Sequence, residues 1–137
     1  MAIRLVKPLV YLSALAVAFG IGTAVGQQKP PTENKGLTTE KTVTLDLGGE
    51  LEGVQGRQLR LRVLKLEPGG VIGLHSHKDR PAVAYILQGT LTEHREGGAT
   101  KNHSKNETLS AGKDVSHWEE NKGKTPLVLV AADIFKP

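Results

Sequence analysis

The chain of 137 residues contains no cysteine. That excludes disulfides, thiolate metal sites, a cysteine nucleophile and lipidation at an N-terminal cysteine. Aromatic residues make up only 4%, too few for a base-stacking platform. The excess of one sign of charge over the other is also small. The formal net charge is +4, and loss of Arg4 and Lys7 with the first 26 residues, which hold no acid, would bring it to +2. The other basic residues are scattered, so the chain carries no nucleic-acid footprint. After residue 41 there is no helical periodicity, and no internal repeat or low-complexity tract. No Ser-His-Asp set, phosphate-cradling glycine loop or carboxylate pair stands out. The length is that of one domain.

What is present begins with an export pattern. Arg4 and Lys7 precede an apolar run from Leu9 to Ile21, interrupted by Ser13 and Gly20. Ala24-Val25-Gly26 then offers the small residues that signal peptidase reads, so residues 1–26 read as a signal peptide and the mature chain as periplasmic or secreted. The apolar core is shorter than the ~20 residues of a membrane span, which leaves no stable span in the mature chain. The alternative is an uncleaved N-terminal anchor, because no charge appears between Lys7 and Lys29. Residues 27–41 have almost no apolar side chain and are expected to be a flexible linker.

Residues 42–137 read as the folded domain. Val43, Leu45 and Leu47 alternate with Thr42, Thr44 and Asp46, and Leu59, Leu61 and Val63 alternate with Gln58, Arg60 and Arg62. The phase flips after Val63, which predicts a bulge or a crossing between sheets. Arg57, Arg60, Arg62 and Arg80 read as a solvated outer face, with steering of an anion as the functional alternative. Pro68-Gly69-Gly70 reads as a turn, and Ala82 to Leu87 as a strand buried on both faces. One face would look into a cavity and the other would need a second sheet or a second subunit, so a homodimer is expected. Short strands separated by glycine turns predict an all-β sandwich or barrel.

The chemistry concentrates in histidine. Side chains two apart on a strand share a face, so His75 and His77 would stand side by side, with Ser76 turned away. Two imidazoles make half of a site for a transition metal. His117, before the last apolar run, offers a third, and three protein ligands with open positions is how a catalytic metal is held. His94 and His103 fall in or near a polar loop and are expected to face solvent. Glu93 reads as a residue of a solvated strand face, and Glu119 and Glu120 as surface residues. Asp79 reads as a turn cap. Either Asp79 or Glu93 is an alternative oxygen ligand, and a carboxylate beside His117 could support that ring.

The order Gly69, five residues, His75-x-His77 and then Gly89, followed by His117-x-x-x-Asn121, resembles the two motifs of the cupin superfamily. The resemblance covers roughly the C-terminal two thirds of the chain. It implies a double-stranded β-helix, or jelly-roll barrel, a divalent transition metal (Fe, Zn, Mn, Cu or Ni) on His75, His77 and His117, and a small-molecule ligand. Tyr85, Trp118, Arg80 and Asn121 are candidate pocket residues. In the family a Glu usually follows the His pair, seven residues ahead of the closing Gly; that position is Ala82, and the usual Pro of the second motif is also absent. Some cupins that resemble non-haem iron dioxygenases use three histidines. The expected function is therefore a metal-dependent, oxygenase-type enzyme acting on a small anionic substrate. The alternatives are a binding module without chemistry and a structural dimer with a vestigial pocket.

Overall fold

The computed structural model describes residues 29–137, so the expected signal peptide lies outside the described residues. No helix among them is long and apolar enough to cross a membrane. The strands are β1 (Lys35–Asp46), β2 (Gln58–Ser76), β3 (Ala82–Gln88), β4 (Thr90–Arg95), β5 (Thr100–Ser104), β6 (Thr108–Ala111), β7 (Ser116–Glu120) and β8 (Leu127–Phe135). All pair antiparallel, in the order β5-β4-β7-β2-β8-β3-β6, with β1 on β2. The sheet curls into a nearly closed barrel, as the all-β reading predicts.

Strand β2 organises the rest because it changes partner halfway. Its first half, Gln58 to Leu66, pairs with β8, and its second half, Val71 to Ser76, pairs with β7. Between them Pro68-Gly69-Gly70 does not reverse the chain as a turn would. Gly69, at a φ of 72°, bends the strand, and Gly69 and Gly70 exchange backbone hydrogen bonds with Asn121. The core lies along the first half, where Leu64 and Leu66 meet Ile86, Leu91, Leu127, Leu129 and Ala131. His75 sits on the second half and His77 just past its end.

Three expectations are corrected by the register. Residues 35–41, expected within a flexible linker, belong to β1. Only Leu37 in that strand is even half-buried, so β1 is ordered by its hydrogen-bond ladder to β2, which composition does not reveal. Arg60 and Arg62, expected outside, alternate instead with the exposed Leu59 and Leu61, and converge with Arg80 on the buried carboxylate of Asp133. Arg60 takes both its oxygens, at 2.9 and 2.7 Å. The bulge anticipated after Val63 is absent, because β2 runs against β8 in unbroken register from Gln58 to Leu66 with its even-numbered residues inward throughout. The apparent phase flip comes from Arg60 and Arg62 facing in, and the irregularity lies on β1, where the register skips Glu40 between Thr39 opposite Leu64 and Lys41 opposite Val63.

The outer face of the sheet is apolar across four strands. Val43 and Leu45 stand opposite Leu61 and Leu59 of β2, which stand opposite Ala132 and Ile134 of β8; Ala132 and Val130 then face Val83 and Tyr85 of β3. Val43, Leu45, Leu59, Leu61, Val83, Tyr85 and Leu87 are all exposed. Thus β3 is apolar on both sides, as its sequence reads, but within one chain its outer side is uncovered.

Candidate metal centre

His75 on β2 is the direct cross-strand partner of His117 on β7. His77 follows where β2 ends, held by a hydrogen bond from its backbone N–H to the Val115 carbonyl (2.8 Å). Nε2 of His117 lies 2.9 Å from Nε2 of His77 and 3.0 Å from Nε2 of His75. Each ring is fixed from behind. Nδ1 of His75 donates to the Gly73 carbonyl (2.9 Å), Nδ1 of His77 to the Arg80 carbonyl (2.9 Å) and Nδ1 of His117 to Glu93 Oε1 (2.6 Å). Carbonyls and carboxylates only accept, so each Nδ1 carries the proton and each Nε2 presents a lone pair. Three lone pairs then meet with no proton between them, which is a donor set for a cation. Two nitrogens bound at about 2.1 Å to one ion, at right angles, are about 3.0 Å apart. The observed separations fit.

Two of the rings, those of His75 and His77, are also kept neutral. Burial lowers the His75 pKa to about 4, and the neighbouring His117 and His77 add to this. Burial lowers His77 as well.

A family model described as a cupin domain matches residues 62–133, more than half of the chain. The chain belongs to the cupin family. No curated protein matches it. Among solved structures it is similar to a Klebsiella pneumoniae protein with a double-stranded β-helix domain (19% identity, 57% of this chain and 68% of that one, TM-score 0.53). It is also similar to a predicted oxalate decarboxylase from Thermotoga maritima (23% identity, 69% and 92%, TM-score 0.51). A third is oxalate decarboxylase from Bacillus subtilis (25% identity, 79% of this chain but 27% of that one, TM-score 0.51).

The imidazoles of this cupin open on a cavity of about 340 Å³. Its walls are Leu64, Ile72, Ala84, Leu109 and Leu129, with Ala82 at the position of the family Glu. Arg62, Arg80 and Glu119 add charge to that lining. The N-terminal segment closes one side: Thr32 and Asn34 reach the lining, Pro31 accepts from the Leu74 amide (2.7 Å), and Asn34 Oδ1 accepts from the Gly73 amide (2.9 Å). This contact needs glycine at 73, since a Cβ there would lie 2.6 Å from the Thr32 backbone. Arg62 offers spare donors. Its Nη2 is 3.4 Å from Asp133 and its buried Nε has no partner.

Of the expected pocket residues, Arg80 lines the cavity and the other three do not. Tyr85 points to the exposed outer face and donates to Asn106 Oδ1 (3.0 Å). Trp118 alternates away from His117 on β7 and stacks on His94, ring centroids 3.8 Å apart. Asn121 is buried and ties the loop after β7 together, Nδ2 donating to the Leu66 and Thr125 carbonyls and Oδ1 accepting from Gly123. Asp79 sits in the turn at a φ of 58°, where short polar side chains are tolerated. His94 is half-buried rather than solvated, with Nε2 2.7 Å from Glu120 Oε1.

The residue that sequence reading misplaced most is Glu93. Expected on a solvated face, it is 1% exposed. It accepts from His117, from His103 Nε2 (3.0 Å) and from Arg95 Nε (2.9 Å). Burial by itself would raise its pKa, but the hydrogen bonds from His117, His103 and Arg95 together outweigh that and bring it to about 2. His103, expected in solvent, is buried with it. An acid three residues before a polar loop carries no local mark of this role; only the pairing of β4 with β5 and β7 creates it.

Proposed function

We propose that this cupin binds a divalent transition metal through His75, His77 and His117 and uses it on a small anionic molecule held in the cavity. The observation that carries the reading is the set of three Nε2 lone pairs, fixed from behind and directed together into a cavity that also presents Arg62 and Arg80. A divalent ion bound there supplies a Lewis acid and, if redox-active, the centre for an oxygenase-type reaction. The protein's own part is positional. Glu93 and two backbone carbonyls orient the rings, and the aliphatic wall excludes water and strengthens each charge interaction inside. Arg62, with Nε unengaged, offers a planar fork to a carboxylate. The Bacillus subtilis neighbour, an oxalate decarboxylase, acts on a small molecule of this kind.

The test is turnover of small mono- and dicarboxylates by metal-loaded protein, followed by oxygen uptake and carbon dioxide release. Activity should vanish with metal removal and fall at least tenfold in Arg62→Met. A metal-loaded protein that binds these acids tightly and leaves them unchanged supports the binding-module reading, which Ala82 favours. Two further parts belong to the same proposal. Export rests on residues 1–26, and a mature N-terminus at Gln27 in the periplasmic or secreted fraction tests it. Homodimerisation rests on the uncovered apolar outer face of β1, β2, β8 and β3. A Leu61→Lys variant that stays folded should then sediment as a monomer while the wild type sediments as a dimer.

A further inference from the structure

Ala82 presents only a methyl group to the cavity where the family's first motif carries a carboxylate. Another carboxylate lines the same cavity. Glu119 lies two residues from His117 on β7, facing the same way, with its side chain 8% exposed and Oε1 3.8 Å from His117 Nε2. Among the described residues it accepts no hydrogen bond, and the two cavity arginines turn to Asp133 instead. Its direct register partner on β4 is Glu93, so two buried carboxylates stand side by side on neighbouring strands. Glu93 has three donors and Glu119 has none. Burying a charge without a partner is costly, and like charges opposite one another on a sheet add to that cost. The counter-charge that Glu119 lacks belongs where the imidazole lone pairs meet. Two ligands of one ion can lie up to about 4.2 Å apart, twice the bonding distance, and the 3.8 Å to His117 is within that span. Glu119 stands just outside the set formed by the three imidazoles, so its side chain must swing inward to complete the ion's shell.

We propose that Glu119 is the fourth protein ligand of the ion held by His75, His77 and His117, so that β7 supplies the carboxylate that β3 lacks at Ala82. The inference rests on the three-histidine reading above. It changes the site's chemistry: one carboxylate reduces the dication's uncompensated charge and shifts the donor set from imidazole alone toward ions that accept oxygen, such as manganese and iron.

The test is titration of metal-free protein with cobalt(II), followed by calorimetry and by the visible absorption of the bound ion. Glu119→Gln should weaken binding by about 10- to 100-fold, the scale on which groups that support a metal site act, and should change the absorption bands. Metal-free Glu119→Gln should melt no lower than wild type, because it loses an unpaired buried charge. The double variant Ala82→Glu/Glu119→Gln should recover most of the affinity. Wild-type affinity and spectrum in Glu119→Gln, with binding abolished in His117→Ala, would overturn the inference and leave the three-histidine site standing. Weakened binding that Ala82→Glu does not recover also counts against a ligand role. If wild-type protein takes up no cobalt, both readings fall together.

Discussion

Replacing Glu93 with alanine removes the group on which three side chains depend. His117 Nδ1 and His103 Nε2 would each be left as buried donors, while Arg95, 38% exposed, can turn to water. Hydrogen bonds to a charged group contribute about 1.5–3 kcal/mol each, so the two buried ones sum to about 3–6 kcal/mol. The range of about 3–5 kcal/mol for removing one partner of a buried ion pair falls within this and sets the expected cost. For a domain of this size that lowers the melting temperature by about 12–20 °C, at roughly 4 °C per kcal/mol. Glu93→Gln separates charge from geometry. Its carbonyl can still accept from His117 and Arg95, and its amide can donate to His103 if that ring moves its proton to Nδ1, the atom now without a partner. Glu93→Gln should therefore melt closer to wild type than Glu93→Ala, yet bind metal about 10- to 100-fold more weakly, because the His117 ring loses its anionic support. Thermal unfolding of metal-free protein and calorimetric metal titration measure the two effects. If Glu93→Ala melts within 2 °C or so of wild type and binds metal equally well, the buried relay behind His117 does not exist as described.

Two other perturbations follow from the same geometry. Asp133 is held below its ordinary pKa of 3.8: burial would raise it, but the Arg60 hydrogen bond and the charges of Arg62, Arg60 and Arg80 prevail. A depressed carboxylate stabilises the fold above its unfolded pKa and loses that contribution as pH falls through the folded value. Urea midpoints should therefore drop below about pH 4 in wild type and less steeply in Asp133→Asn; parallel curves would refute the arginine cluster. Gly73→Ala places a Cβ against the Thr32 backbone, so the segment at Pro31 to Asn34 must lift from the cavity. Hydrogen exchange at the Leu74 amide should then accelerate at least tenfold, and unchanged protection would show that the segment does not lie there.

The fold and the histidine triad were legible because each rests on local spacing. His75 and His77 declare a shared face, and glycine at 69 and 89 brackets them at a family distance. What stayed hidden was made by strands meeting. Glu93 and Arg62 look like solvated residues on any alternating pattern, yet each faces inward, Glu93 toward three donors and Arg62 toward the buried acid Asp133. The same inversion left Leu59 and Leu61 outside, where an apolar outer face makes both sides of β2 plausible as the buried one. Glu119 was hidden for a different reason: a lone carboxylate beside a histidine is common, and only its burial without a hydrogen bond distinguishes it. The linker boundary failed because β1 is held by backbone pairing, to which side-chain composition is blind.

The most direct measurement is the metal content of purified protein and of His75→Ala, His77→Ala and His117→Ala, each reconstituted and dialysed under identical conditions. A single shared ion predicts one equivalent per chain in wild type and near-complete loss in every variant that keeps a cooperative melt. Undiminished metal in any one of the three folded variants would contradict the claim that these imidazoles converge on one ion.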